Sequence, residues 1–382
     1  MQLVAYGAQD IYLTGNPQIT FFKVVYRRHT NFSMEAIRQT WNGSNTSDGR
    51  CTATISRNGD LVHRMYLELK PNGEAAKNNA SAQGITKVEL EIGGQRIDEQ
   101  SGSWMEAWAE LTEKNTSCLT SAASIPMDNG TLFQNMSCMG GVVSATATPG
   151  ILFVPLQFWF CRNPGLALPL IALQYHEVKV ILEHTYTAAF TSDLISNDLY
   201  CDYIYLDTDE RRRFAQVSHE YLIEQVQEQS LSTPTGTSEL NFNHPVKELV
   251  WVDGSVFDSD GNYPTLDVSG VKYQLKLNGH DRFSERDSEY FTRAQVWQHH
   301  SGSGGLDSTG TAGSGNFLGG IAVYSFALKP EEHQPSGTCN FSRIDNAQLI
   351  CSGGTGVADR CFAVNYNVLR IMSGMGGLAY SN

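Results

Sequence analysis

Basic residues are scarce in this 382-residue chain: 27 Lys and Arg stand against 40 Asp and Glu, a formal net charge of −13. A phosphate-binding surface needs the opposite balance, so direct nucleic-acid binding is excluded as the main activity. Charged residues of both signs make up only 18% and hydrophobic ones 41%, a balance that excludes disorder and a coiled coil. Long uninterrupted apolar runs are missing too. The most apolar stretch, Ile151 to Leu173, carries Arg162 and Asn163 at its centre and Pro155, Pro164 and Pro169, which break a membrane helix. It reads as two buried strands joined by an Arg-Asn-Pro-Gly turn. The opening MQLVAYGAQDIYLTGNP lacks a basic n-region and is interrupted by Asp10, unlike a secretory signal. The eight Cys (51, 118, 138, 161, 201, 339, 351, 361) form no CxxC pair and no zinc spacing. They read as free thiols. Eight N-x-S/T sequons, at Asn31, Asn42, Asn45, Asn79, Asn115, Asn129, Asn135 and Asn340, carry little weight without secretion.

Glycine (35) and aromatics (6 Trp, 16 Tyr, 17 Phe) are plentiful, as in a β-rich protein with long loops. Thr20 to Tyr26 (TFFKVVY) is a dense apolar strand signal. Met65, Leu67 and Leu69 alternate with Tyr66 and Glu68, and Val88, Leu90 and Ile92 with Glu89 and Glu91. Val271 to Leu277 repeats the pattern. Period two with one apolar face predicts half-buried strands of antiparallel sheets. One short helix is predicted over Ser103 to Glu113, with Trp104 and Trp108 on one face. Residues 114–150 and 299–316 read as long loops; in the second, 12 of 18 residues are Gly, Ser or Thr.

The most informative feature is an internal repeat. VELEIGGQRID (88–98) resembles YQLKLNGHDRF (273–283). FVPLQFWFCRNPGLALPLIAL (153–173) parallels IAVYSFALKPEEHQPSGTCNFSRI (321–344) in layout. DYIYLDTDERRRFA (202–215) closes the first half much as NYNVLRIMSG (365–374) closes the second. The order is the same in both halves. Two copies of one β-sandwich follow, joined near 215–235, and strands spaced by long loops favour a jelly roll.

Sites of chemistry are wanting. GMGGLA (374–379) matches a dinucleotide fingerprint but has no helix to follow it, so it reads as a flexible or packed tail. DSDGNYPTLDVS (258–269) has Tyr263 and Ser269 where a calcium loop needs Gly and Glu; a hairpin turn fits better. His176-Glu177 and His219-Glu220 lack the second His of HExxH. His299-His300 read as solvated loop histidines. No GxSxG elbow occurs. Arg211-Arg212-Arg213, with Arg27-Arg28, read as partners for carboxylates at an interface. No catalytic, cofactor-binding or metal-ligating residue is assigned, and no cofactor is expected.

Several blocks together resemble a known family. They are QLVAYGAQDIYLTGNPQITFFKVVYRRHTNF (2–32), ISRNGDL (55–61), VELEIGGQRID (88–98), PGLALPLIALQYHEVKV (164–180), DYIYLDTDERRRFAQ (202–216), HEYLIEQ (219–225), LNFNHPVKELVW (240–251), LNGHDRF (277–283), YSFALKP (324–330), QPSGTCNFSRIDN (334–346) and NYNVLRIMSGMGGLAY (365–380). In order and from end to end, they resemble the major capsid proteins of nucleocytoplasmic large DNA viruses, those of algal viruses above all. The resemblance implies an all-β chain of two consecutive eight-stranded antiparallel jelly rolls. It implies an N-terminal arm (1–17), a first jelly roll (18–215), a linker leading into the second lobe (216–235) and a second jelly roll (236–382). It further implies a homotrimer that contacts neighbouring capsomers and tiles an icosahedral shell, assembled in the host cytoplasm. The arm side would meet minor capsid proteins and an internal membrane. By layout, 114–150 and 299–316 would form outer loops open to covalent glycans. No enzymatic role is implied. A minor capsid paralogue, a double jelly-roll glycopeptide amidase and a glycan-binding module stand as the alternatives.

Overall fold

The computed structural model describes residues 7–14, 16, 21–24, 26, 29–114, 131–141, 150–231, 236–254, 263–302, 304, 319–353 and 358–380. Eight main strands build the first lobe: β1 (Phe32–Gln39), β2 (Gly49–Thr54), β3 (Leu61–Lys70), β4 (Ile85–Ile92), β5 (Gln95–Ser101), β6 (Leu152–Pro155), β7 (Val178–His184) and β8 (Ser196–Leu206). Eight more build the second: β9 (His219–Ser230), β10 (Gly236–Glu239), β11 (Pro245–Val252), β12 (Lys272–Leu277), β13 (His280–Asp281), β14 (Ile321–Ser325), β15 (Ala347–Ser352) and β16 (Arg360–Met372). The first lobe pairs them as β1-β8-β3-β6 and β2-β7-β4-β5, the second as β9-β16-β11-β14 and β10-β15-β12-β13. Adding eight to each label converts one lobe into the other. All ladders are antiparallel.

The repeat seen in the sequence is this duplication. VELEIGG and YQLKLNG are the hairpins β4–β5 and β12–β13. Their two-residue turns, Gly93-Gly94 (φ +59° and +85°) and Asn278-Gly279 (φ +53° and +77°), need positive φ at both central positions, which Gly and Asn tolerate. The alternating strands bury the apolar face expected of them: Met65, Leu67 and Leu69 on β3 and Val88, Leu90 and Ile92 on β4 are buried.

The predicted helix is α1 (Gly102–Thr112), capped where the Ser101 hydroxyl accepts from the Trp104 N–H. Helical segments also occur at α2 (Leu132–Ser137), α3 (Trp159–Arg162), α4 (Thr208–Gln216) and α5 (Gln295–His299). In α4 the opening Asp207 caps the Thr208 N–H, and Asp209 and Glu210 occupy the first turn, where the helix dipole favours acids.

Two expectations are corrected. The 151–173 stretch is not two strands about a turn: β6 is followed by α3, a 3-10 turn (Pro164–Leu166) and a two-residue strand (Leu168–Pro169). Its prolines lack the N–H a second long strand would need. In TFFKVVY, the described residues Phe21–Lys23 form a turn outside every sheet. The range 216–235, expected to hold the linker and the entry to the second lobe, contains the twelve-residue strand β9 (219–230), paired along its whole length with β16.

The second lobe's β9-β16-β11-β14 sheet is covered on both faces. Leu249, Trp251, Cys361 and Ala363 face the second-lobe core. Val250, Val252, Phe362 and Val364 join the core of the first lobe. Trp104 on α1 stacks obliquely on Phe362 at 5.3 Å between ring centroids. The lobes are therefore held by shared apolar burial, and α1 lies at their junction.

Candidate assembly surfaces and the ion cluster between the lobes

β11 carries Lys247 and Glu248 inside the run PVKELVWV, whose other residues are almost all buried. A β-bulge places Lys247 as the extra residue between the pairs Val246–Asn365 and Glu248–Val364. Its side chain crosses the Tyr366 ring at 5.4 Å and meets Glu224 of β9 at 2.9 Å. Glu224 also meets Arg162 at 3.2 Å and His333 at 3.3 Å. Burial alone would raise the Glu224 carboxyl, but Arg162, His333 and Lys247 together pull it down to about 2. Burial lowers the Lys247 ammonium, and Glu224 is the main charge opposing that.

Beside it, His300 follows α5. Its Nε2 stands 3.0 Å from Glu248, and its Nδ1 3.2 Å from Glu331. Burial would lower the imidazole, yet Glu248 and Glu331 raise it to about 9. The ring of Trp108, on α1, is approached by Arg162 at 4.8 Å and by His300 edge-on at 6.5 Å. Arg162, Lys247 and His300 thus face Glu224, Glu248 and Glu331, with His333 beside Glu224; Arg162 comes from α3 in the first lobe and the others from β9, β11 and the segments after α5 and β14 in the second. This corrects the reading of His300 as a solvated loop residue. His299 is only half-buried, its Nδ1 3.3 Å from the Leu328 carbonyl.

Two more carboxyls are buried at the junction. Asp98 accepts from the Val226 N–H and from Gln100, and burial raises it to about 7. Glu106 on α1 accepts from the N–H groups of Gly140 and Gly141 at 2.8–2.9 Å, and burial raises it to about 7 as well.

The remaining motifs are structural. Met375–Leu378 of GMGGLA form β17, which pairs with β16, so the tail is packed. His176 contacts the Gly376 carbonyl at 2.9 Å, and His219 the Phe214 carbonyl at 2.8 Å. Of 258–269, residues 258–262 lie outside the described residues; Tyr263 is buried against Ser103 of α1. Arg211 pairs with buried Asp60 at 2.8 Å within the chain, while Arg27-Arg28 and Cys118 lie outside the described residues. Seven cysteines are free. Among the described residues no group of three or more His, Cys, Asp or Glu could hold a metal ion. Most of 114–150 and 299–316 also falls outside the described residues. Asn79 of one sequon is fully buried.

The outward face of the β1-β8-β3-β6 sheet is unusually aromatic. Tyr66 stacks on Tyr200 at 5.4 Å and meets Phe153 edge-on at 6.1 Å. Next to them a cleft of about 650 Å³ runs between the sheet, α1, α2 and α3, lined in part by Tyr66, Trp108, Phe133 and Phe153 with Glu113 and Asp202. Leu132 at the start of α2 is 84% exposed.

Comparison with known proteins decides what this duplicated sandwich is. A model described as "Major capsid protein N-terminus" matches residues 20–207, and one described as "Large eukaryotic DNA virus major capsid protein" matches residues 210–377. The major capsid protein of Pyramimonas orientalis virus is 54% identical, with 100% of this chain and 99% of that protein covered. The chain belongs to the major capsid proteins of large eukaryotic DNA viruses. Capsid relatives from Phaeocystis pouchetii virus and Paramecium bursaria Chlorella virus 1 are 42% and 40% identical over 100% of this chain and 99% of each. The quasi-atomic model of the PBCV-1 virus capsid superposes with a TM-score of 0.74 at 35% identity, covering 95% of this chain and 100% of that one. The Faustovirus major capsid protein, at 13% identity and a TM-score of 0.66, covering 96% of this chain and 94% of that one, shares the fold. As a major capsid protein, the chain has a structural role in the virion's capsid shell, and the fold is a double jelly roll.

Proposed function

We propose that this capsid protein works as a homotrimer whose three chains make one nearly hexagonal capsomer. The observation that carries this reading is the identity of strand order in the two lobes. Three chains of two equivalent lobes present six equivalent outlines about a threefold axis. Such units tile a flat facet with few distinct contacts between neighbours. The contact between chains in a ring is heterologous and closes on itself, leaving the outer edges for neighbouring capsomers. We assign the N-terminal arm (1–17) to the inner side, towards minor capsid proteins and the internal membrane. The loops 114–150 and 299–316 go to the outer side, open to glycans. The two lobes divide between β8 and β9, in keeping with the matched ranges 20–207 and 210–377. The protein acts by packing, without turnover of a substrate.

Light scattering during gel filtration tests this. A species of about three chains, persisting on dilution, is the expected result. A monomer at every concentration overturns it.

A further inference from the structure

Two features of the chain are left open and complement each other. The first is the segment before β1. Phe21 is 94% exposed, Phe22 99%, Val24 74% and Tyr26 87%. A soluble monomer seldom displays so many large apolar groups in one short run. The run is strand-prone by composition, yet its described residues join no sheet. Residues 20–29 (TFFKVVYRRH) also contain Lys23, Arg27 and Arg28 and no acidic residue, in a chain of net charge −13.

The second is the cleft of about 650 Å³ on the outward face of the first lobe. Its aromatic walls suit inserted Phe and Tyr rings, which favour edge-on and offset contacts. Met65 and Met136 also line it, and methionine adapts to irregular partners. Charges of both signs line it, Arg64 and Arg162 with Glu113, Asp202 and Glu331. Arg64 acts on Asp202, Arg162 pairs with Glu224 and Glu331 with His300. That leaves Glu113, without an ion pair among the described residues and raised by burial, as the carboxylate open to a new cation. A cation brought beside it would be favoured.

We propose that the Phe21–Tyr26 run of one copy docks in the first-lobe aromatic cleft of a neighbouring copy, with its basic residues beside Glu113. The proposal rests on the homotrimer reading and adds which surfaces meet. Association between two copies of an acidic protein works against their mutual repulsion. A basic, aromatic segment is the part of this chain best suited to overcome it. The stretch from Phe21 to Phe32 could extend up to ~36 Å, and the chain's own cleft lies one to three strands from β1, about 5–14 Å across the sheet. Phe21, Phe22, Val24 and Tyr26 nonetheless stand clear of their own cleft, the arrangement expected when the occupant comes from another chain.

The experiment places photoreactive benzoylphenylalanine at Phe22 and assembles this protein from a mixture of ¹⁴N and ¹⁵N chains. After irradiation, mass spectrometry is expected to find cross-links between position 22 of one isotope and residues 62–70, 131–141 or 152–162 of the other. Cross-links to those segments only within one isotope, or to other surfaces, overturn the proposal. A second variant, Phe21→Ser with Phe22→Ser, is expected to raise the concentration at which the trimer dissociates by tenfold or more. The melting temperature of the dissociated chain should stay unchanged, since those rings touch little of their own chain. If the wild type never assembles, the trimer reading falls. If it assembles and the double variant assembles equally well, only the docking falls.

Discussion

Glu248 on β11 and His300 after α5 face each other at 3.0 Å with neither side chain reaching solvent. Each charge is tolerable there because of the other. Removing water from a lone carboxylate or imidazolium costs several kcal/mol, which a close opposite charge offsets. The pair joins β11 to the end of α5, so it ties that helix to the sheet at the junction of the lobes.

That arrangement makes stability depend on alkaline pH. The folded His300 titrates at about 9 against an ordinary 6.5. Its contribution, of the order of 3 kcal/mol, is fully present below pH ~6.5 and is lost as pH rises through 9. Thermal melts of the wild type between pH 6.5 and 9.5 should show a falling Tm. His300→Gln should melt lower at pH 6.5 and lose most of that slope. An unchanged slope in the variant would remove His300 as its source.

Glu224 sets the acid limb. Its folded value of about 2 lies below the ordinary 4.5, so its contribution is present above pH 4.5 and fades as pH falls towards 2. Glu224→Gln leaves Lys247 and Arg162 facing a neutral group. It should cost about 3–5 kcal/mol in urea unfolding at pH 7. The double variant Glu224→Leu with Lys247→Met should recover much of that loss, because it removes two buried charges together.

Trp104 is the main apolar bridge across the junction, buried on α1 against Phe362 and Trp108. Trp104→Ala should cost about 3–5 kcal/mol through the cavity left behind. The denaturation curve should broaden or split as the lobes unfold less cooperatively. A sharp single transition with little loss would mean that the lobes are coupled elsewhere.

Thiol chemistry offers a check on packing. Burial raises Cys51 and Cys161 to about 12 and Cys138 to about 11. Such groups carry almost no thiolate at neutral pH. With a disulfide-exchange reagent at pH 8, Cys51, Cys138, Cys201 and Cys361 should react only on unfolding, and half-buried Cys339 should react sooner. Fast labelling of the buried set in the native protein would contradict the cores described above.

The ion cluster shows where reading the chain residue by residue stops. Lys247-Glu248 inside PVKELVWV is a visible oddity, since charges in a buried strand demand partners. The partners themselves come from Arg162, Glu224, His300, Glu331 and His333. Those positions are brought together by sheet order and by a one-residue bulge, and neither is written in local periodicity. His300 looked solvated because its neighbours in sequence are Gly and Ser. Its neighbours in space are two carboxylates and Trp108.

Local patterns did determine a great deal. Period-two alternation specified the faces of β3, β4 and β12, because pleating sends successive side chains to opposite sides. Gly93-Gly94 and Asn278-Gly279 specified the hairpins, because only such residues accept positive φ twice in succession. The repeated order of those signals specified two like lobes, and the linked blocks specified the family. Tertiary structure alone decided that one sheet is buried on both faces, that the apolar 151–173 stretch folds into short turns, and that Phe21–Lys23 lie outside every sheet. Those outcomes depend on which surfaces remain free after every strand has found its partner, and that is a property of the whole chain at once.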